Sequence, residues 1–119
     1  MLQSSVDLSI LHQTSREMGA DTAAECRDLV EAYLEQADGW SDQLDEAAST
    51  GDGEQARRIA HALTSSSELI GALPLVALLQ QISRLATEPA GLTSAVAAAR
   101  AEYLRVAAVL RTEYPAPAP

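Results

Sequence analysis

A single apolar stripe runs through residues 26–47 without losing its helical phase. Its members recur every three or four positions and are Cys26, Val30, Tyr33, Ala37, Trp40, Leu44 and Ala47. Gly39 costs a helix about 1 kcal/mol relative to Ala, but a real break there would shift the phase, and the phase is kept. The pattern therefore predicts one helix over residues 21–49. At 1.5 Å per residue it is about 40 Å long, and its apolar stripe needs other helices to cover it.

Residues that cap helices mark where the first three helices begin. Asp7 can accept a backbone N–H and is expected to cap a short first helix. The inner face of that helix is expected to hold Leu8, Leu11, Ser15 and Met18. Thr22 and Glu25 form a capping-box pair that opens the long helix. Asp52 is expected to cap a third helix, which ends near Gly71.

Two more helices complete the expected fold. Pro74 fits the first turn of a fourth helix, where its missing N–H is harmless. After a connection at residues 87–91, a fifth helix is expected over residues 92–112. Long helices joined by short connections pack as antiparallel neighbours. The prediction is an all-α fold: an up-and-down antiparallel four-helix bundle with a short additional N-terminal helix. It forms one domain over residues 1–114, followed by a Pro/Ala-rich tail at 115–119.

Charge and composition narrow the classes of function. The formal net charge is −9 at pH 7, which argues against nucleic acid or an anionic membrane as partner, because both need a basic face. The sequence has neither a long apolar run nor a signal-peptide pattern, so we expect no membrane insertion and a cytoplasmic protein. Cys26, the single cysteine, is expected to be a small core residue. We expect the chain to be a monomer.

The segment at residues 54–72 places a histidine on the solvent side of the third helix. Its inner stripe consists of Ala56, Ile59, Ala60, Leu63, Ser67 and Ile70. Its outer stripe consists of Glu54, Arg57, Arg58, His61, Thr64, Ser65 and Glu68. His61 is therefore expected at the surface, with short hydroxyl side chains beside it. An unprotonated imidazole is a nucleophile, and an exposed histidine is mostly unprotonated near pH 7.

The same segment resembles the signature of histidine-containing phosphotransfer (HPt) domains. Residues 61–72 read HALTSSSELIGA, with a histidine, a patch of small residues and Gly71 ten positions on. Residues 6–11 resemble the usual opening of the family, and residues 29–44 resemble its long second helix. The resemblance covers about residues 6–86.

This resemblance implies a function and a partner. His61 would accept a phosphoryl group from the aspartate of a receiver domain, and donate it to one, in a response regulator or hybrid sensor kinase. The receiver would supply the Mg²⁺, so the resemblance implies no cofactor for this chain. It also implies the same helical bundle that the pattern predicts.

The chain departs from the family beside the histidine. The family commonly has Lys three residues after the histidine and Gly four residues after it, where this chain has Thr64 and Ser65. Thr64 can offer a phosphoryl group at most a neutral hydroxyl hydrogen bond. Arg57, one turn before His61 on the same face, is the expected replacement for the lysine.

Access is the main requirement for such a transfer, because a whole partner domain must dock around the imidazole. Short side chains at Thr64, Ser65 and Ser83 are expected to leave that space. The residues expected to support the transfer are Arg57, Thr64, Ser65, Ser66 and Gly71. The residues expected to contact the partner are Ile10, Arg58, Glu68, Gln80, Ser83 and Arg84.

Other interpretations stay open. An HPt-like bundle could serve as a docking or inhibitory module that binds a receiver or kinase without phosphate turnover, and the missing lysine motivates this alternative. A purely structural bundle would leave the exposed histidine unexplained. We expect no metal site, cofactor, kinase or ATPase activity, because no cluster of metal ligands lies at the required spacing and no phosphate loop is present. His12 is expected to be a solvated or bundle-edge residue.

Overall fold

The described part of the chain is entirely helical. The computed structural model describes residues 4–115 and contains no strand in that range. Its helices there are α1 (Leu8–Glu17), α2 (Ala23–Thr50), α3 (Gly53–Leu69), α4 (Leu73–Leu85) and α5 (Pro89–Glu113). The all-α prediction is confirmed. Apart from Pro115, the predicted tail at 115–119 lies outside the described residues.

Side-chain caps close the starts of α2 and α3 as predicted. The Thr22 hydroxyl oxygen accepts from the Glu25 N–H at 3.1 Å, and the hydroxyl donates to the Glu25 carboxylate at 2.8 Å. Asp52 accepts from the Gln55 N–H at 3.0 Å. Each such cap contributes about 1 kcal/mol, because it satisfies an N–H that has no partner inside the helix.

The four longer helices form a closed ring of contacts. α2 packs against α3 and α5, and α4 packs against the same two helices. Their inner stripes meet in one core, whose fully buried side chains include Leu44, Leu63, Leu79 and Val106. α2 passes through Gly39 without interruption, so the stripe stays in register with the core along its whole length. α1 packs against α2 and α3 outside the ring.

Polar side chains tie α2 to α5. The Tyr103 hydroxyl donates to the Leu34 carbonyl at 3.3 Å and to the Asp38 carboxylate at 2.5 Å. Arg111 donates to the same carboxylate at 3.2 Å. Burial, together with the hydrogen bond to Asp38, raises the pKa of Tyr103, so the hydroxyl keeps the proton that it donates.

Two local features differ from the prediction. α5 begins at Pro89 rather than at residue 92, because proline is tolerated in the first turn of a helix, where its missing N–H has no intrahelical partner. Met18 is 60% exposed rather than on the inner face of α1. α1 ends at Glu17, and Met18 lies at the rim of a depression lined by Leu29 and Leu69, where few side chains cover it.

Gly71 fastens the end of α3 to the start of α1. The Asp7 N–H donates to the Gly71 carbonyl at 2.9 Å, and Asp7 also caps α1, as predicted, by accepting from the Ser9 N–H at 3.0 Å. Gly71 has φ +82°, a left-handed conformation that L side chains disfavour. A Cβ at this position would also collide with the Asp7 carbonyl oxygen and approach the Ile10 side chain to 3.1 Å. Only glycine meets both conditions.

We predict that Gly71→Ala destabilises the fold more than Gly19→Ala does. Gly19 has nearly the same backbone angle, φ +80°, but a Cβ there meets nothing within 4 Å. Both changes introduce left-handed strain of about 1–2 kcal/mol, whereas only Gly71→Ala adds overpacking, which costs about 1–3 kcal/mol more. Urea unfolding followed by circular dichroism measures both free energies of unfolding. Equal losses would contradict the tight contact between Gly71 and Asp7.

Candidate functional site

His61 lies near the middle of α3 with its side chain exposed. The opposite side of α3 is buried and consists of the predicted inner residues Ala56, Ile59, Ala60, Leu63, Ser67 and Ile70. Because a helix can turn only one side toward the core, burial of this stripe directs the imidazole outward. The structure thus places His61 at the surface, as the pattern predicts.

An open depression in the surface joins His61 to Arg57, Arg58 and Ser83. Ser83 lies on α4 and the other three on α3, so the depression spans the groove between these helices. Side chains on a helix lean toward its N-terminus, which sets the imidazole over the turn that carries the two arginines. All four side chains are exposed. The site combines a nucleophile, two positive charges and a hydroxyl group.

One of these arginines is held by a carboxylate on its own helix. Arg57 Nη2 donates to both carboxylate oxygens of Glu54, each at 2.8 Å. The two side chains are 54% and 60% exposed, so water can compete for the contact. The pair has the i,i+3 spacing that brings side chains together on a helix, although the sequence pattern assigned Glu54 no role.

The hydroxyl groups after His61 are directed mostly at the helix backbone. Thr64 is half-buried, and its hydroxyl donates to the Ala60 carbonyl at 2.7 Å. Ser66 donates to the Leu63 carbonyl at 3.4 Å, whereas Ser65 is exposed. The Thr64 hydroxyl proton, the most that this residue could offer a phosphoryl group, is thus engaged within α3 in this structure.

Two residues predicted for the site belong to a different part of the molecule. Gly71 follows His61 by ten positions, a distance of about 15 Å along a helix. Ile10 is half-buried rather than exposed, because it packs beside Gly71 where α1 meets the end of α3. Gly71 anchors α1, and Ile10 fills the space next to that anchor.

The remaining predicted contact residues lie at the surface of the two helices that line the depression. Glu68 is exposed on α3, and Gln80 and Arg84 are exposed on α4. Arg58 and Ser83 line the depression itself. The structure therefore leaves all five available to a partner that approaches His61 along α3 and α4.

A buried hydrogen bond holds the back of α3 in place. Tyr33 on α2 and Ser67 on α3 are both buried, and their hydroxyl oxygens lie 2.9 Å apart. Burial raises the pKa of Tyr33 to about 12, although the hydrogen bond to Ser67 opposes this rise. The apolar stripes of α2 and α3 predict that both residues are in the core. They do not predict that the two residues meet, because periodicity describes each helix separately.

His12 occupies a different environment from His61. Its Nε2 lies 2.8 Å from the Tyr114 hydroxyl, so one exposed hydrogen bond joins α1 to the end of α5. Burial raises the pKa of Tyr114 to about 12, so the phenol is protonated near neutral pH. The prediction of a bundle-edge histidine is confirmed.

Residues 4–115 contain neither a cluster of metal ligands nor a helix that could span a membrane. Among residues 4–115, no group of three His, Cys, Asp or Glu side chains is placed to hold a metal ion. No helix within the same range has the length and apolar character needed to cross a membrane.

Most of the chain matches the model of a known protein family. A family model described as Hpt domain matches residues 28–114, which is well over half of the chain. The match includes most of α2 and all of α3, α4 and α5, so His61 lies within it, whereas α1 lies before it. Neither a curated protein nor a solved structure matches the chain.

We predict that an acylating reagent for imidazoles, diethyl pyrocarbonate, modifies His61 faster than His12. His61 is exposed in an open depression, whereas Nε2 of His12 is engaged by Tyr114. Mass spectrometry of digested protein measures the two rates at neutral pH. Tyr114→Phe should raise the rate at His12 and leave His61 unchanged. A faster reaction at His12 in the native chain would contradict the accessibility assigned to His61.

Proposed function

The chain belongs to the Hpt domain family, and we propose from this premise that His61 carries a phosphoryl group between the aspartates of receiver domains. The observation that best supports the proposal is the placement of His61, exposed at the middle of α3 and sharing its depression with Arg57, Arg58 and Ser83. An in-line transfer needs an approachable nucleophile and positive charge near the phosphoryl oxygens. This depression offers both.

In the proposed reaction, an unprotonated imidazole nitrogen of His61 attacks the phosphorus of a receiver's aspartyl phosphate. A P–N bond forms while the bond from phosphorus to the carboxylate oxygen breaks, and the carboxylate leaves with the electron pair. The other ring nitrogen releases its proton to water, which the exposed imidazole can reach. The receiver supplies the Mg²⁺. The reverse sequence returns the phosphoryl group to a second receiver.

The proposed partner surface follows the exposed sides of α3 and α4. It consists of Arg58, Glu68, Gln80, Ser83 and Arg84, all of which are exposed. Ile10 is left out of it because it is half-buried beside Gly71.

We also propose that the ring of α2 to α5 has the up-and-down antiparallel order, since short connections join successive helices.

A second candidate function has one specific observation in its favour. Thr64 replaces the lysine that is common in the family, and its hydroxyl donates to the Ala60 carbonyl. The chain would then dock receivers or kinases without turning over phosphate. The two candidates differ in whether His61 is ever phosphorylated.

We predict that His61→Gln abolishes phosphorylation by a phosphorylated receiver domain. The native chain should acquire an acid-labile and base-stable modification, because P–N bonds have this behaviour and serine phosphates do not. Glutamine keeps a polar side chain at an exposed position, so helical content and melting temperature should stay nearly unchanged. Transfer of a labelled phosphoryl group from a panel of receivers measures the effect, with His12→Gln as the matched control. Label that persists in the His61→Gln protein would refute the assignment.

We predict that Thr64→Lys lengthens the lifetime of the phosphoryl group on His61 by a few fold. An exposed ion pair contributes about 0.2–1 kcal/mol, and position 64 lies on the same side of α3 as His61, one turn later. Thr64→Val is the control and should leave the lifetime unchanged, because the hydroxyl proton is already donated to Ala60. The decay of the phosphorylated proteins is followed at neutral pH. A native chain that takes no phosphate while Thr64→Lys does would favour the docking function.

A further inference from the structure

The contact between Glu54 and Arg57 stands at the edge of the depression that contains His61. Arg57 Nη2 lies 2.8 Å from both oxygens of the Glu54 carboxylate. The same arginine lines the depression together with His61. The guanidinium therefore contacts a carboxylate and belongs to a residue that shares the depression with the imidazole, one helical turn away.

We propose that Glu54 competes with the phosphoryl group on His61 for Arg57, so that Glu54 sets the lifetime of phosphohistidine. This inference rests on the proposed function. Glu54 acts through Arg57 and is a positioning residue. The exchange is feasible because the ion pair is exposed and joined through a single guanidinium nitrogen, so water can replace either partner at small cost.

The phosphoryl group is the stronger competitor once it is present. It carries more negative charge than a carboxylate and offers three acceptor oxygens, which suit the donors of a guanidinium. Arg57 would then leave Glu54 and bind the phosphoryl oxygens, and it would return to Glu54 when the group departs. Because Arg57 gives up one anion to gain another, the net stabilisation of phosphohistidine is smaller than a permanently available cation would provide.

Hydrolysis of phosphohistidine reports this competition. Water adds its oxygen to phosphorus, the P–N bond breaks, and the imidazole nitrogen keeps the electron pair and takes up a proton. A guanidinium that holds the phosphoryl oxygens disfavours a second positive charge on the nearby imidazole. More time spent by Arg57 on the phosphoryl group should therefore slow hydrolysis.

The experiment uses a small-molecule donor, so that no receiver is needed. The full chain is phosphorylated with phosphoramidate at low ionic strength, and decay of phospho-His61 is followed by ³¹P nuclear magnetic resonance. Four proteins are compared with the native chain: Glu54→Gln, Arg57→Gln, the double variant, and Glu31→Gln. Glu31 is an exposed residue of α2, two positions before Tyr33, whose hydroxyl meets Ser67 in the last turn of α3 rather than the first turns that carry Glu54 and Arg57. Its replacement therefore makes the same change in net charge without touching the Glu54–Arg57 contact.

We predict that Glu54→Gln lengthens the lifetime about 1.5- to 5-fold, the range expected for one exposed ion pair. Arg57→Gln should shorten the lifetime, and adding Glu54→Gln to Arg57→Gln should change nothing further. Glu31→Gln should match the native chain, and added salt should shrink the effect of Glu54→Gln.

Several outcomes would contradict the proposed competition between Glu54 and the phosphoryl group for Arg57. An unchanged lifetime in Glu54→Gln shows that Glu54 does not restrain Arg57. If Glu54→Gln lengthens the lifetime of phospho-His61 equally in the native chain and in the Arg57→Gln protein, Glu54 acts by its own charge and not through Arg57. Failure of His61 to accept phosphate even from phosphoramidate contradicts both proposals. If His61 accepts phosphate from phosphoramidate but not from receiver domains, the proposed function is contradicted. The lifetimes of phospho-His61 in the variants still show whether Glu54 competes for Arg57.

Discussion

The orientation of α3 about its own axis is the constraint on which the site depends. Its buried stripe includes Ile59, Leu63 and Ile70, and burial of each such side chain contributes about 1.5–3 kcal/mol. A rotation by one residue position, about 100°, would expose much of this stripe and turn charged residues such as Arg57 toward the core. An unpaired charge in the core costs several kcal/mol more. The hydrogen bond between Tyr33 and Ser67 adds a directional contact on the buried side.

Close backbone contacts hold α3 at both ends. At its start, a Cβ on Gly53 would collide with the Ala86 carbonyl oxygen, directly after α4. At its end, a Cβ on Gly71 would collide with the Asp7 carbonyl oxygen, and the Asp7 N–H donates to the Gly71 carbonyl. The first contact keeps α3 beside the part of α4 that carries Ser83, and the second brings α1 onto the bundle. The depression around His61 is therefore built on a helix that can neither slide nor tilt freely.

Local charge around His61 differs in sign from the charge of the whole chain. The chain has 17 acidic and 8 basic residues, which would repel a phosphoryl group at long range. Charges beyond about 8 Å are largely screened at physiological salt, so the residues that share the depression matter most. Those residues include Arg57 and Arg58. Glu54 is paired with one of them, Arg57, so the chemistry that we propose at His61 depends on a single exposed ion pair.

The sequence by itself determined the helices, their buried stripes and the exposure of His61, because these depend on spacing along one chain. Capping by Thr22 and Asp52 followed from local hydrogen bonds in the same way. The sequence pattern predicts the start of α5 three residues too late, because proline occurs both at the end of a connection and in the first turn of a helix.

Only the tertiary structure decided which side chains meet across helices. It paired Tyr33 with Ser67, brought Ser83 to the side of His61, and left Ile10 half-buried beside Gly71. It also showed that Thr64 donates to the backbone and that Arg57 is held by Glu54. Periodicity states which side of a helix faces inward. Which helix lies opposite, and which rotamer a polar side chain adopts among competing acceptors, are set by the packing of the whole bundle.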